Sequence, residues 1–381
     1  MRVALLVNAA AGRGRATAAH GPVRAALTAA GLEVHELAST DRASAEAAVR
    51  VVAGSVAAVV VLGGDGAVHA AVQGLAGTRT ALAVLQKFVL NQGDAWTLML
   101  EGLRRDFETV VLAPESEALS PQEAFRDHMR WADLLGQRTA QMHAAFAMET
   151  DDPAFAAEAF EEDDLAILAR DARHQAERAF RGLKGLAERG LDAGKDACAD
   201  LLGRRAEVEA LIERLTHGPL RGAHKIRIHG DYHLGQVLVA ENDLIIVDFE
   251  GEPSRPADER RAKSMPLRDV AGMMRSFAYG AETVIREIAS RFADSQDRAR
   301  AAATAWRGMI DAAFLDGYQG AVDGTRAAVT DEPTRDRLLR LCLLTKALYE
   351  VDYEANNRPD WIEIPARGVL SILDEDGERT E

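Results

Sequence analysis

Cysteine is nearly absent. The 381 residues hold two, Cys198 and Cys342, far apart in the chain. That argues against a disulfide framework and fits a reducing, cytoplasmic setting. Both read as small buried apolar residues. Positive charge is also scarce: 45 Lys and Arg face 60 Asp and Glu, a formal net charge of −15. A surface that acidic repels phosphate backbones and anionic headgroups, so no nucleic-acid partner is expected. No apolar run approaches the ~20 residues of a membrane span, so no transmembrane segment is expected. The stretch Met1–Val7 has one charge and reaches Asn8 too soon for a secretory leader, and it reads as a buried strand. There is no internal repeat and no low-complexity tract beyond an alanine bias.

What is present is an ordinary globular balance, 48% hydrophobic and 28% charged residues. At roughly 100–200 residues per domain, the length implies two or three domains. Residues 1–84 alternate strand and helix signals. Strands are expected at 3–7, 32–37, 56–62 and 80–85, and helices at 16–30, 42–53 and 67–76, with Ser44 as a cap of the second helix. Strands separated by such helices imply an α/β unit of parallel βαβ type, Rossmann-like. The texture changes after Leu85, and residues 85–120 read as a junction and linker. Residues 121–381 read as a mainly α lobe with one short β-hairpin. Helices are expected at 121–148, as one or two segments over 164–216, and at 268–293, 297–323 and 332–355. Acidic residues 149–164 read as a solvated loop or helix start, and Asp374–Glu381 as a frayed polar tail.

The chemistry concentrates at His229-Gly230-Asp231-Tyr232-His233-Leu234-Gly235-Gln236 and at Ile246-Val247-Asp248-Phe249-Glu250-Gly251. Asp231 follows a short extended segment, where a carboxylate can take the proton of a substrate hydroxyl. Gln236, five residues on, stands where kinase-like loops carry a metal-binding amide. A hairpin turning at Ala240-Glu241-Asn242-Asp243 brings Asp248 back beside the loop. There a carboxylate can hold Mg²⁺ between phosphates. The pattern points to phosphoryl transfer. His233 either touches substrate or packs.

At these residues the chain resembles bacterial maltokinases, of the aminoglycoside-phosphotransferase and protein-kinase-like superfamily. Met265–Phe277, Lys346–Glu350, Asn356–Trp361 and Asn91-Gln92-Gly93-Asp94-Ala95-Trp96 match too, so the likeness covers about residues 86–375. The resemblance implies a kinase using ATP and Mg²⁺ to convert maltose to maltose 1-phosphate for α-glucan synthesis, with a functional link to trehalose synthase. It implies Asp231 as base, Gln236 and Asp248 as metal ligands, and Tyr349, Glu350, Arg358 and Trp361 near the sugar. Lys346 receives no role.

A second constellation lies upstream. Gly63-Gly64-Asp65-Gly66 follows a buried strand and opens a helix, and Gly12-Arg13-Gly14-Arg15 makes another Gly-rich strand-to-helix turn. Glycines there let backbone approach phosphates, and the helix start favours anions. Over residues 1–84 these turns resemble the catalytic domain of diacylglycerol and related lipid kinases. The likeness implies that Gly63, Gly64, Asp65, Gly66, Gly12 and Arg13 bind nucleotide. Ala67, His69 and Ala70 replace that family's usual Thr, Asn and Glu. Its Gly-Thr-Gly-Asn-Asp-Phe segment and β-sandwich domain have no counterpart.

Residues 1–84 also hold no match to the kinase N-terminal lobe, with its phosphate-gripping Lys. Three readings follow: a maltokinase-type sugar kinase, either active with the N-terminal α/β unit serving as its nucleotide lobe or impaired by that absence; a lipid kinase-like protein; or a non-catalytic sugar-binding fusion or chimeric gene product.

Overall fold

The computed structural model describes residues 1–7, 15–63, 65–84, 89–112, 120–190, 194–253, 255–291 and 296–380. The chain is a mixed α/β protein, mostly helical, and divides into two compact units, Met1–Leu90 and Asn91–Glu381.

In the first unit, strands β1 (Arg2–Val7), β2 (Glu33–Leu37), β3 (Ala58–Leu62) and β4 (Ala81–Val84) form a parallel sheet in the order β2-β1-β3-β4. Helices α1 (Arg15–Ala29), α2 (Arg42–Val52) and α3 (Asp65–Leu75) connect them. The central strands are apolar apart from the exposed Arg2 that opens β1, because both faces are covered. Ala4, Leu6, Val59 and Val61 pack with Val49 and Ala71 of α2 and α3, while Val3, Leu5, Val60 and Leu62 pack on the side of Val23 and Leu27 of α1. Gly74 lets α3 approach α2: a Cβ there would lie 2.7 Å from that of Val49. Helix α2 is capped by Asp41 rather than Ser44. The Ser44 amide donates to Asp41 Oδ1 at 2.8 Å and the Ser44 hydroxyl oxygen accepts from the Asp41 amide at 3.0 Å, a reciprocal box that places Ser44 inside the first turn.

The second unit is built of helices. Helix α4 (Ala95–Leu112) falls in the stretch expected to be a junction, yet Leu103 and Phe107 are fully buried in this unit's core. Short α5 (Pro121–Ala124) precedes α6 (Arg126–Phe146). Residues 164–216 make three helices, not one or two: α7 (Glu162–Glu188), α8 (Lys195–Gly203) and α9 (Arg205–Leu215). The acidic run supplies the first turn of α7, where the helix dipole favours carboxylates.

Short strands β5 (Glu158–Ala159) and β6 (His224–Lys225) pair, and β7 (Val237–Ala240) and β8 (Asp243–Ile246) make the expected hairpin. Then come α10 (Ala257–Arg261), α11 (Leu267–Arg291), α12 (Gln296–Val322), α13 (Glu332–Asn357) and α14 (Glu363–Thr380). The tail is helical to Thr380, not frayed, because Asp376 is buried against Arg340 and Arg214.

Helices α6 and α12 cross at glycines. A Cβ at Gly136 would meet the Phe314 carbonyl, and one at Gly317 the Asp133 carbonyl. Cys198 and Cys342 are buried and unbonded, and burial pushes the Cys342 thiol up to about 12. Among the described residues no helix is long and apolar enough to cross a membrane.

Candidate active site

The loop His229–Gln236 is shaped by one buried carboxylate. Asp269, near the start of α11, is 2% exposed and accepts the backbone N–H of His229 at 2.7 Å and of Gly230 at 2.9 Å. Gly230 has φ +82°, a conformation natural to glycine, and this lets both amides converge on one side chain. His143 of α6 bonds Asp269 at 3.1 Å through Nε2 and the Tyr318 hydroxyl at 3.0 Å through Nδ1. Burial works to raise the Asp269 pKa, but His143, His229 and the Gly230 amide outweigh it and hold the carboxyl below its ordinary value.

The rest of the loop is pinned too. The Tyr232 hydroxyl pairs with Thr139 at 2.8 Å, and the Leu234 amide donates to Ser276 Oγ at 3.2 Å. His229 must donate from Nε2 to the Val247 carbonyl at 2.9 Å, because a carbonyl only accepts. That ties the His229–Gln236 loop to the segment after β8 that carries Asp248.

Asp248 has φ +65°, an uncommon conformation for a residue other than glycine and one that clusters at functional sites. Gln236 Nε2 donates to Asp248 Oδ2 at 2.9 Å, so the two expected metal ligands stand together. One carboxylate and one amide oxygen are hard donors of the type Mg²⁺ takes when phosphates supply the remainder. Among the described residues no group of three or more His, Cys, Asp or Glu could hold a metal ion without such help.

His233 joins this group. Its Nδ1 accepts the Gly235 amide at 3.1 Å, which leaves Nε2 as the donor. Burial lowers its pKa, aided by Lys346 and His229 and opposed by Asp231 and Asp248, so the ring is neutral near pH 7.

Asp231 lines a narrow cleft whose enclosed volume is about 60 Å³. Helix α7 contributes Asp171 and Gln175, α11 contributes Arg268, and α13 contributes Thr345, Lys346 and Tyr349. Glu252 and Arg255 come from the segment after the hairpin. The Tyr349 hydroxyl donates to Glu252, and Lys346 Nζ lies 4.8 Å from the centre of the Tyr349 ring.

The expected sugar residues therefore divide. Tyr349 lines the cleft with Asp231. Glu350 does not, being one helix position away, where it pairs in the core with Arg275 at 2.8 Å. Arg358 pairs with Glu354 at 2.6 Å and Trp361 packs under Arg286 and Arg358. Arg358 also lies over the ring of Tyr353, which stacks on Tyr349 at 6.3 Å, and neither Arg358 nor Trp361 is among the residues lining the cleft.

Sequence reasoning missed Lys346, Asp171 and Gln175 as cleft residues. The signal for the last two was two polar side chains four apart, interrupting the buried stripe of α7. In the first unit, Gly63 ends the segment after β3, and Asp65 and Gly66 open α3, at the carboxyl edge of the parallel sheet where open α/β folds bind ligands. Gly12, Arg13 and Gly64 lie outside the described residues, as does the side chain of Asp65.

Comparison with known proteins gives two kinds of match. The diacylglycerol kinase catalytic domain family matches residues 2–86. A glucosamine kinase from Streptacidiphilus jiangxiensis is 30% identical over 244 residues, 64% of this chain and 49% of that protein. One from Mycolicibacterium smegmatis (strain ATCC 700084 / mc(2)155) is 33% identical over 244 residues, 63% of this chain and 53% of that protein. A crystal structure of a glucosamine kinase (crystal form B) superposes with a TM-score of 0.54 at 26% identity, covering 76% of this chain and 60% of that one. A glucosamine kinase in complex with glucosamine, ADP and inorganic phosphate gives 0.53 at 26% identity, covering 74% and 57%. The chain spans about half the length of the curated relatives it matches. A kinase-like fold is supported; maltose as acceptor is not shown.

Proposed function

We propose that this chain is a sugar phosphotransferase that moves the terminal phosphoryl group of ATP to a sugar hydroxyl. The observation that carries the reading is the Gln236–Asp248 hydrogen bond on a loop and hairpin that His229 ties together, with Asp231 of the same loop lining a polar cleft. Asp231 accepts the hydroxyl proton as the new O–P bond forms and the bond to the ADP oxygen breaks. Gln236 and Asp248 would hold Mg²⁺, which supplies charge neutralisation at the phosphates. Neutral His233 offers an N–H donor beside Asp231.

The first acceptor to test is glucosamine, the sugar in the names of the relatives. Maltose, with its link to trehalose synthase, is the second. Residues 1–84 hold no recognised match to a phosphate-gripping Lys, and among the described residues Lys346 lines the cleft. Impaired turnover is therefore part of the reading.

The test is ADP release by the full chain with Mg-ATP and each sugar. Sugar-dependent turnover abolished by Asp231→Asn supports the proposal. Sugar binding without turnover would leave a non-catalytic sugar-binding protein. The match over residues 2–86 favours one other reading, a lipid kinase-like activity at the Gly63–Gly66 loop. Turnover with diacylglycerol that is lost in Asp65→Asn would establish it in place of the first.

A further inference from the structure

The narrow cleft at Asp231 opens beside a wider one of about 710 Å³, and the two share Asp171, Gly230, Glu252, Arg255 and Arg268. The wider cleft is walled by the first half of α7, the segment 251–264 and the start of α11. On a chain of net charge −15, six Lys and Arg but only four Asp and Glu line it. Each of the four carboxylates already faces a cation. Lys225 bonds Asp164 at 2.8 Å, and Arg255 bonds Glu252 at 3.2 Å and faces Asp171 and Glu259 at 3.9 Å. Lys263 pairs with Glu158, which lies outside the lining. Arg170, Arg260 and Arg268 are left with no carboxylate partner among the described residues. Arg260 donates to the Glu250 carbonyl at 3.2 Å and Arg268 to Ser264 Oγ at 3.3 Å, and Arg260 Nε is buried with no partner. Three guanidinium groups around one cleft repel one another, and an anion between them relieves that repulsion.

We propose that the wider cleft is an oxyanion subsite continuous with the Asp231 cleft, and that it takes the carboxylate or phosphate ester of an acidic sugar. A guanidinium presents a planar fork of N–H donors that matches either oxyanion, two bonds at a time. Arg268 lines both clefts, so one ligand can place its anion among the arginines and a hydroxyl toward Asp231. The inference rests on the sugar-phosphotransferase reading and adds to it the charge class of the acceptor.

Calorimetry on the full chain without nucleotide tests it, with glucose, glucuronate, glucose 6-phosphate and glucosamine as probes. The wild type is expected to bind an acidic sugar on the order of tenfold more tightly than glucose, the scale of one charge-assisted hydrogen bond. Preference for both acidic sugars identifies a general oxyanion site, and preference for one alone identifies the carboxylate or the phosphate as its ligand. Arg170→Gln and Arg260→Gln are expected to bring the ratio toward one, and Arg170→Lys, which keeps the charge, to retain part of it. Arg173→Gln, on α7 outside the cleft and paired with Glu213 at 2.8 Å, is expected to leave the ratio unchanged. Equal wild-type affinities, a ratio unchanged in both Gln variants at 170 and 260, or an equal fall in Arg173→Gln overturns the proposal and leaves the sugar-kinase reading standing. Binding of glucosamine or glucose with no binding of either acidic sugar does the same. A wild-type chain that binds none of the four sugars overturns both.

Discussion

Asp269 is the side chain on which the His229–Gln236 loop hangs, and Asp269→Asn is its sharpest perturbation. The carboxylate accepts from the His229 amide, the Gly230 amide and His143, all at 2.7–3.1 Å and in a site 2% exposed. An asparagine keeps one oxygen and replaces the other with an N–H₂ group, which faces a donor. At least one buried donor is then unpaired, at about 1–3 kcal/mol, and the partner of His143 is lost. A loss of about 1–3 kcal/mol or somewhat more is therefore expected.

Urea denaturation at pH 7 measures it. The pH dependence adds a second reading. The folded pKa of Asp269 lies below its unfolded value, so the carboxylate stabilises the fold fully above the unfolded pKa of about 3.9. That contribution is lost as pH falls through the lower, folded value. The gap between wild type and Asp269→Asn should therefore be constant at pH 5–7 and shrink below about pH 4. A gap under about 1 kcal/mol at pH 7, or one that grows on acidification, would refute this account of the loop.

Other perturbations have equally definite outcomes. Gly136→Ala drives a methyl group into the Phe314 carbonyl and should cost about 1–3 kcal/mol or more, whereas Gly308→Ala, in α12 with open space around it, should gain about 0.5–1 kcal/mol; thermal melts of the pair check both. His128 is buried between α4 and α6, and burial lowers its pKa despite a bond to Asp106 at 3.0 Å, so the neutral ring belongs to the fold. Stability should be full above the ordinary histidine pKa of about 6.5 and fall as pH drops below it; urea midpoints from pH 7.5 to 5.5 should slope in the wild type and flatten in His128→Gln. Asp248→Asn removes the charge beside Gln236 and should abolish the effect of Mg²⁺ on nucleotide binding in calorimetry, while leaving sugar binding unchanged.

Much of the candidate site was legible in the sequence because its residues are close in the chain. Asp231, Gln236 and Asp248 are held by one loop and one hairpin, and local spacing alone brings such groups together. The alternation of strands and helices before Leu85 was equally legible, since a parallel sheet covered on both faces demands continuous apolar strands. Glu350 shows the limit. A helical register of one position separates the cleft-lining Tyr349 from a residue buried on Arg275, and no spacing rule states which face of α13 meets which neighbour.

Sequence by itself thus determined the two-part character of the chain and the loop-and-hairpin spacing of Asp231, Gln236 and Asp248. These are written in short-range pattern and composition. Only the tertiary structure decided that Asp269 and His143 hold that loop, that Arg358 and Trp361 stand beyond the cleft, and that Asp171, Gln175 and Lys346 share it with Asp231. Those pairings join residues tens to more than a hundred positions apart. They follow from which helix faces pack, a consequence of summed burial over whole helices that no local pattern carries.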